Sequence, residues 1–262
     1  MIADVLKIVL APAFVVAITL VARRYGSRVG GVVGGLPAIA GPILFVLALD
    51  HGRSFAADAA LGTLLGVIAV MAFVAGYVFV SSRFAWPAAV LGGWAAFFTA
   101  VAILQPVHVD AYVALILAFA ATTVTVLLVP HPPPSLAVVE DHPRGELALR
   151  ALCALIPVTV IVATAHLLGP HLSGLLASFP IMTPVLAAFT QSRHGWQEAA
   201  RLLHGLATGF YSYALFCFVV AITVVDWGIG VSFAVATGVS LAVQAAALLV
   251  TGRYERTLVL EG

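Results

Sequence analysis

Gln197, Arg201, His204, Thr208 and Tyr211 follow a 4-3-4-3 spacing inside an apolar run. Residues three and four apart share one face of a helix, so this spacing aligns a fixed cation, an imidazole and two hydroxyls in one stripe. Ionisable groups are expensive in hydrocarbon and by default mark an internal path. At about 1.5 Å per residue, Arg201 to Tyr211 spans roughly 15 Å, half of a bilayer core. The competing account puts Gln197 and Arg201 at headgroup level, with the arginine snorkelling. It explains the first turn better than His204, Thr208 and Tyr211. The chemistry of such a stripe is the holding and passing of a small polar or anionic solute. A histidine there is compatible with a coupling proton or ion.

Two further segments bear on the same chemistry. Residues 29–42 read VGGVVGGLPAIAGP and residues 172–184 read LSGLLASFPIMTP, each an apolar stretch with two prolines. Pro37 and Pro42, and Pro180 and Pro184, each remove a backbone donor and crowd the preceding turn. Carbonyls freed at membrane depth are tolerated only inside protein or along a cavity. The half-helix N-termini at such breaks favour an anionic or polar group. Ser178, two residues before Pro180, and Thr183, between the two prolines, join the prolines as candidate substrate contacts. Gln244, aligned with Thr237 and Ser240 at 3-4 spacing, is another candidate, and Thr122 and Thr125 form a lesser polar face. Interhelical hydrogen bonds account for these faces equally well.

The elements that must position these residues are transmembrane. The chain is 63% hydrophobic and 9% charged, with a mean hydropathy of +1.14. A soluble domain is about one quarter charged, so this is an integral membrane protein. A hydrocarbon core of about 30 Å needs roughly 20 apolar residues per helix. On that rule nine spans fall near 3–22, 29–49, 55–80, 84–104, 110–129, 147–168, 172–190, 202–225 and 229–250. Runs of this length exclude the short alternation of a barrel. Residues 130–146, PHPPPSLAVVEDHPRGE, form a proline-stiffened cytoplasmic linker, and 251–262 a cytoplasmic tail.

With nine spans, one side holds Lys7 and Arg53. The other holds Arg23, Arg24, Arg28, Arg83, Arg144, Arg150, Arg193, Arg201, Arg253 and Arg256. The positive-inside rule then places the N-terminus outside and the C-terminus in the cytoplasm. Asp4 and Lys7 precede the first apolar run and basic residues follow it, the reverse of a secretory signal. Eleven of the twelve basic residues are Arg, and Ala and Val abound, which points to a bacterial inner (plasma) membrane.

The paired breaks belong to a repeat. Shifting the chain by 143 residues aligns 29–68 with 172–211 at eight identities. These are Gly31/Gly174, Pro37/Pro180, His51-Gly52/His194-Gly195, Ala56-Ala57/Ala199-Ala200, Gly62/Gly205 and Gly66/Gly209. The shift carries the second span onto the seventh and the third onto the eighth. An odd number of spans inverts the second copy. The expected fold is therefore all-α, about nine transmembrane helices in an inverted 5+4 repeat, residues 1–129 and 147–250, with proline-broken second and seventh helices. Many secondary transporters share this architecture, with sites near the midplane between repeats, although fold alone does not establish function. Gly-xxx-Gly pairs at 62/66 and 205/209 read as close helix contacts. His51 and His194 read as turn residues beside glycine caps, at opposite membrane faces and too far apart to share a metal.

A net charge of +1 gives no field for nucleic acid. Cys153 and Cys217 sit in apolar runs, against a disulfide scaffold or thiolate metal site. HExxH, Gly-x-Ser-x-Gly, Walker and Cys/His metal motifs are absent, so no catalytic residue, metal or cofactor is expected. The expected partners are a small-molecule substrate and the bilayer. Two other classes compete with the transporter reading: a lipid-handling enzyme or flippase using Asp50, His51 and Asp58, and a structural membrane subunit.

Overall fold

The computed structural model describes residue 37 and residues 40–130, 164, 166–180 and 182–261. The side chains of residue 182 and of 247–261 are not described. The expected span near 3–22, nearly all of that near 147–168 with Arg150, and the linker beyond Pro130 lie outside the described residues.

The described chain is helical: α1 Ala40–His51, α2 Arg53–Ser81, α3 Trp86–Leu104, α4 Ala111–Leu128, α5 Met182–His194, α6 Trp196–Trp227 and α7 Ile229–Glu261. Residues 166–177 form a further helical segment. Among the described residues five stretches are long and apolar enough to cross a membrane: Arg53–Ser81, Trp86–Leu104, Ala111–Leu128, Trp196–Trp227 and Ile229–Ala246. They overlie the expected third, fourth, fifth, eighth and ninth spans. α7 runs on to Glu261, through the residues expected as a tail.

Local chemistry explains where elements begin and end. α1 passes into α2 through the single residue Gly52 at φ 90°, and α5 into α6 through Gly195 at φ 88°. Only glycine takes this region without strain. The two turns match in detail. Gly52 N donates to Ala48 O at 3.2 Å and Gly195 N to Gln191 O at 3.0 Å. α2 starts at Arg53 and α6 at Trp196, again 143 positions apart. His51 and His194 end the preceding helices and are exposed. α4 begins at Asp110, whose Oδ1 accepts from Tyr112 N at 2.9 Å and Val113 N at 3.1 Å. Such a cap is worth about 1 kcal/mol.

α2 and α6 form the centre. Buried residues make up 67% of the most apolar window of α2 and 56% of that of α6, against 28% for α3 and 22% for α4 and α7. The outer helices bury one edge each. In α3 it is Ala89, Gly93, Phe97, Val101 and Leu104; in α4 it is Ala114, Ala118, Thr122 and Thr125. Their other faces, including Leu91, Ile103, Ile116 and Leu127, are exposed, as for helices solvated by lipid.

Without a hydrophobic drive between helices in lipid, close backbone approach supplies the packing. A Cβ on Gly62 would meet the backbone carbonyl of His171, and one on Gly174 would meet that of Ala59. A Cβ on Gly66 would come within 2.8 Å of Ser178 Cβ. The first Gly-xxx-Gly pair thus seats segment 166–177 on α2. Gly205, the equivalent of Gly62, has open space at its Cβ position.

Side-chain ties define two ends of the bundle. At one end Arg53 Nη1 donates to Val225 O at 3.3 Å. There also His108 stacks on His171 at 5.0 Å, and His171 Nε2 lies 3.4 Å from Leu104 O. At the other end Gln191 of α5 accepts from Tyr77 OH at 2.8 Å and donates to Phe84 O at 3.0 Å.

Candidate functional site

The helical segment 166–177 ends in the interior of the bundle. Ser178 N donates to Leu175 O at 3.3 Å and Phe179 N to Leu176 O at 2.9 Å, so the last turn tightens to i→i+3 bonds. Pro180 follows, buried and without an N–H to extend the ladder. Helix resumes at Met182, with Pro184 buried in its first turn, where a missing donor is harmless. At the other proline pair, Pro37 is non-helical and its carbonyl accepts from Gly41 N at 2.8 Å; Pro42 is buried in the first turn of α1. Residues 38 and 39 lie outside the described residues.

Hydroxyls converge on the interruption at 178–180. Ser178 Oγ donates to Thr63 O of α2 at 3.0 Å, and its single proton is thereby used. Tyr213 OH of α6, 3.3 Å away, must then donate to Ser178 Oγ. Thr63 Oγ1 in turn lies 2.8 Å from Ala59 O and 3.1 Å from Gly174 O, a donation shared between α2 and the broken segment. Thr63, Ser178 and Tyr213 are all buried. Ser178 therefore joins both central helices at the break. Among the described residues no Asp, Glu, Lys or Arg is buried, so at this depth the wall offers dipoles in place of fixed charges.

The other candidate residues occupy several different surroundings. Thr183 is half-buried near the start of α5. Arg201 is half-buried and ion-paired with Glu198, one turn earlier on α6. His204 is buried, whereas Thr208 is exposed and donates to Gly205 O at 2.7 Å. Tyr211 turns to α4: its OH lies 2.7 Å from Thr123 Oγ1 and its ring meets Phe119 edge-on at 5.2 Å. On α6, then, Tyr213 reaches the interruption and Tyr211 reaches α4. Gln244 is buried on α7 together with Ser232, Ala236 and Ser240, while Thr237 is exposed. The inward face of α7 is thus the i, i+4 row 232/236/240/244. Thr122 Oγ1 is used on Ala118 O at 2.8 Å.

Thr63 and Tyr213 were not singled out by sequence. Thr63 is the second residue of GTLLG, where the glycines explain the motif by themselves. Tyr213 stands two positions from Tyr211, outside the 4-3-4-3 stripe. At the 143-residue shift Ser178 falls on Gly35, Thr63 on Leu206 and Tyr213 on Val70, so the alignment carried no signal for either residue. Asp50, His51 and Asp58 are exposed beside the α1–α2 turn. No group of three or more His, Cys, Asp or Glu side chains able to hold a metal occurs among the described residues.

Fold and site define a class: an all-helical chain with the element lengths and apolarity of a multi-pass membrane protein, and a hydroxyl-lined helix interruption between its two central helices. Comparison with known proteins found no matching family model, no matching curated protein and no matching solved structure.

Proposed function

We propose that the chain is a small secondary transporter or exporter that moves a small polar or anionic solute by alternating access. The observation that carries this reading is the interruption at 178–180, tied through Ser178 to Thr63 of α2 and Tyr213 of α6. An unwound stretch at membrane depth serves best where its backbone groups can serve a ligand. The matched α1–Gly52–α2 and α5–Gly195–α6 units support an inverted repeat of nine spans in 5+4 arrangement, with the second and seventh helices broken at Pro37/Pro42 and Pro180/Pro184. α1 packs on α2 and, through Phe45 and Phe233 at 5.2 Å, on α7; α5 packs on α6 and, through Gln191, on the α2–α3 turn. Each short helix thus bridges to the other half, the linkage that rocking of one repeat against the other requires. In this reading the protein sits in a bacterial inner membrane with its N-terminus outside and its C-terminus in the cytoplasm. Arg201 and His204 line the cytoplasmic approach, and a proton or ion drives the cycle.

The test is access to the interruption. In a chain with Cys153 and Cys217 replaced by Ala, Ser178→Cys should react with a membrane-impermeant methanethiosulfonate reagent in reconstituted vesicles. A cysteine inert from both sides, in a folded protein, would mean that the interruption is packing.

A further inference from the structure

α3 walls the interruption on one side. Phe179, in the non-helical stretch, meets Phe97 edge-on at 5.4 Å, stacks on Phe98 at 5.6 Å and stacks on Trp94 at 6.1 Å. Phe97 is fully buried, whereas Phe98 is 49% exposed on the outside of the bundle. The cluster therefore runs from the interior to the hydrocarbon-facing surface within one side chain's breadth.

Trp94 is out of keeping with a purely structural cluster. Its Nε1 is buried and has no hydrogen-bond partner among the described residues. The Trp94 and Phe179 rings lie 29° from parallel, so the N–H, in the indole plane, runs beside the Phe179 ring and not into its face. No N–H···π contact to Phe179 replaces the missing acceptor. Tryptophan is common at membrane interfaces, where its N–H is wet. Trp94 instead sits about 12 Å along α3 from Trp86, near the middle of that helix, where a donor without a partner is costly.

We infer that this cluster is a binding subsite for a bilayer amphiphile with an anionic, hydrogen-bond-accepting head, of the long-chain carboxylate type. The head accepts from Trp94 Nε1 beside the interruption. The positive end of α5, which starts at Met182 just beyond Phe179, favours an anion there. The tail leaves past Phe98 into lipid, along an α3 face whose Leu91 and Ile103 are also exposed. A water-borne anion would have no use for the aromatic wall, and a plain alkane none for the donor. The subsite rests on the transport reading only for its role as a lateral entrance; binding is independent of it.

The test uses the full chain in lipid nanodiscs, with Trp86, Trp196 and Trp227 replaced by Phe so that Trp94 alone emits. Dibromostearate is the probe, since bromine on its chain quenches a nearby indole. Saturable quenching, reversed by stearate and not by acetate, is expected. Quenching that only rises in proportion to probe in the bilayer, or that acetate reverses equally, overturns the inference. On the otherwise natural chain, Trp94→Phe keeps the ring and deletes the N–H. It should lower photolabelling by a diazirine-bearing stearate about tenfold, the effect of one hydrogen bond to a charged group. Unchanged labelling also overturns it. Saturable binding without probe flux in proteoliposomes would remove the lateral-entrance role and keep the subsite; the absence of saturable binding in a protein that still transports would remove the subsite and leave the transport reading.

Discussion

Gly62 and Gly205 align in sequence at the 143-residue shift, yet alanine at each should act with opposite sign. At Gly62 the new methyl group falls on the His171 backbone, with the His171 carbonyl carbon at 3.1 Å and Cα at 3.2 Å. Backbone cannot rotate away as a side chain can, so α2 and segment 166–177 must separate. Overpacking of this kind costs about 1–3 kcal/mol, partly offset by at most about 1 kcal/mol of improved helix propensity. At Gly205 nothing lies within 4 Å, so only the propensity gain remains. The pair should differ by about 2 kcal/mol, which for a chain of this size is a gap of roughly 4–8 °C in Tm. Thermal unfolding of the purified full-length protein in one mild detergent measures it. Gly174→Ala, whose methyl would meet the Ala59 backbone from the opposite side, should resemble Gly62→Ala. The double variant Gly62→Ala/Gly174→Ala should fall short of additivity, because one separation relieves both contacts. A Gly62→Ala protein as stable as Gly205→Ala would refute the seating of the broken segment on α2.

Three other perturbations read different parts of the molecule. Gln191→Leu removes the acceptor of Tyr77 OH and the donor to Phe84 O; with buried Tyr77 left unpaired, unfolding should become easier by about 1–2 kcal/mol, and Tyr77→Phe should recover part of that loss. Replacing Pro180 and Pro184 together by Ala should restore backbone donors across the interruption and abolish transport while the protein still inserts, as amide-exchange protection over 178–184 would report; transport at the natural rate would exclude a working interruption. A reporter fused after Arg256 should prove cytoplasmic and a tag in the 105–110 loop should be labelled from outside, and a C-terminus on the outer face would break the nine-span reading.

Much of the helical framework was legible in the sequence because hydrocarbon imposes a length. A helix that crosses it must keep about 20 residues apolar, and the ends of α2, α3 and α4 fall within two residues of the expected spans, while α6 begins six residues earlier than expected. The α1–α2 and α5–α6 turns were legible for another reason. His-Gly recurs at 51–52 and 194–195, and a one-residue turn between helices calls for the positive φ that glycine takes freely. The site was less legible. Ser178 was readable beside Pro180, but its partners Thr63 and Tyr213 sit far along the chain, and a hydroxyl in a membrane helix has a ready backbone acceptor of its own one turn back. Nothing in a single helix's spacing tells which hydroxyls look outward.

What the sequence by itself determined, then, was an all-helical chain made for lipid and the glycines at which two pairs of its helices turn. Composition and spacing suffice for these, because each depends on backbone hydrogen bonds and on the solvent, and both act within one segment. Tertiary structure alone decided that Tyr213 and not Tyr211 meets the interruption. It likewise turned Thr237 outward and Gln244 inward, and set Gly62 against backbone while leaving Gly205 clear. These outcomes depend on how far each helix is rotated about its axis. In lipid that rotation follows from the shapes of neighbouring helices, since the apolar surroundings reward every orientation of an apolar face alike.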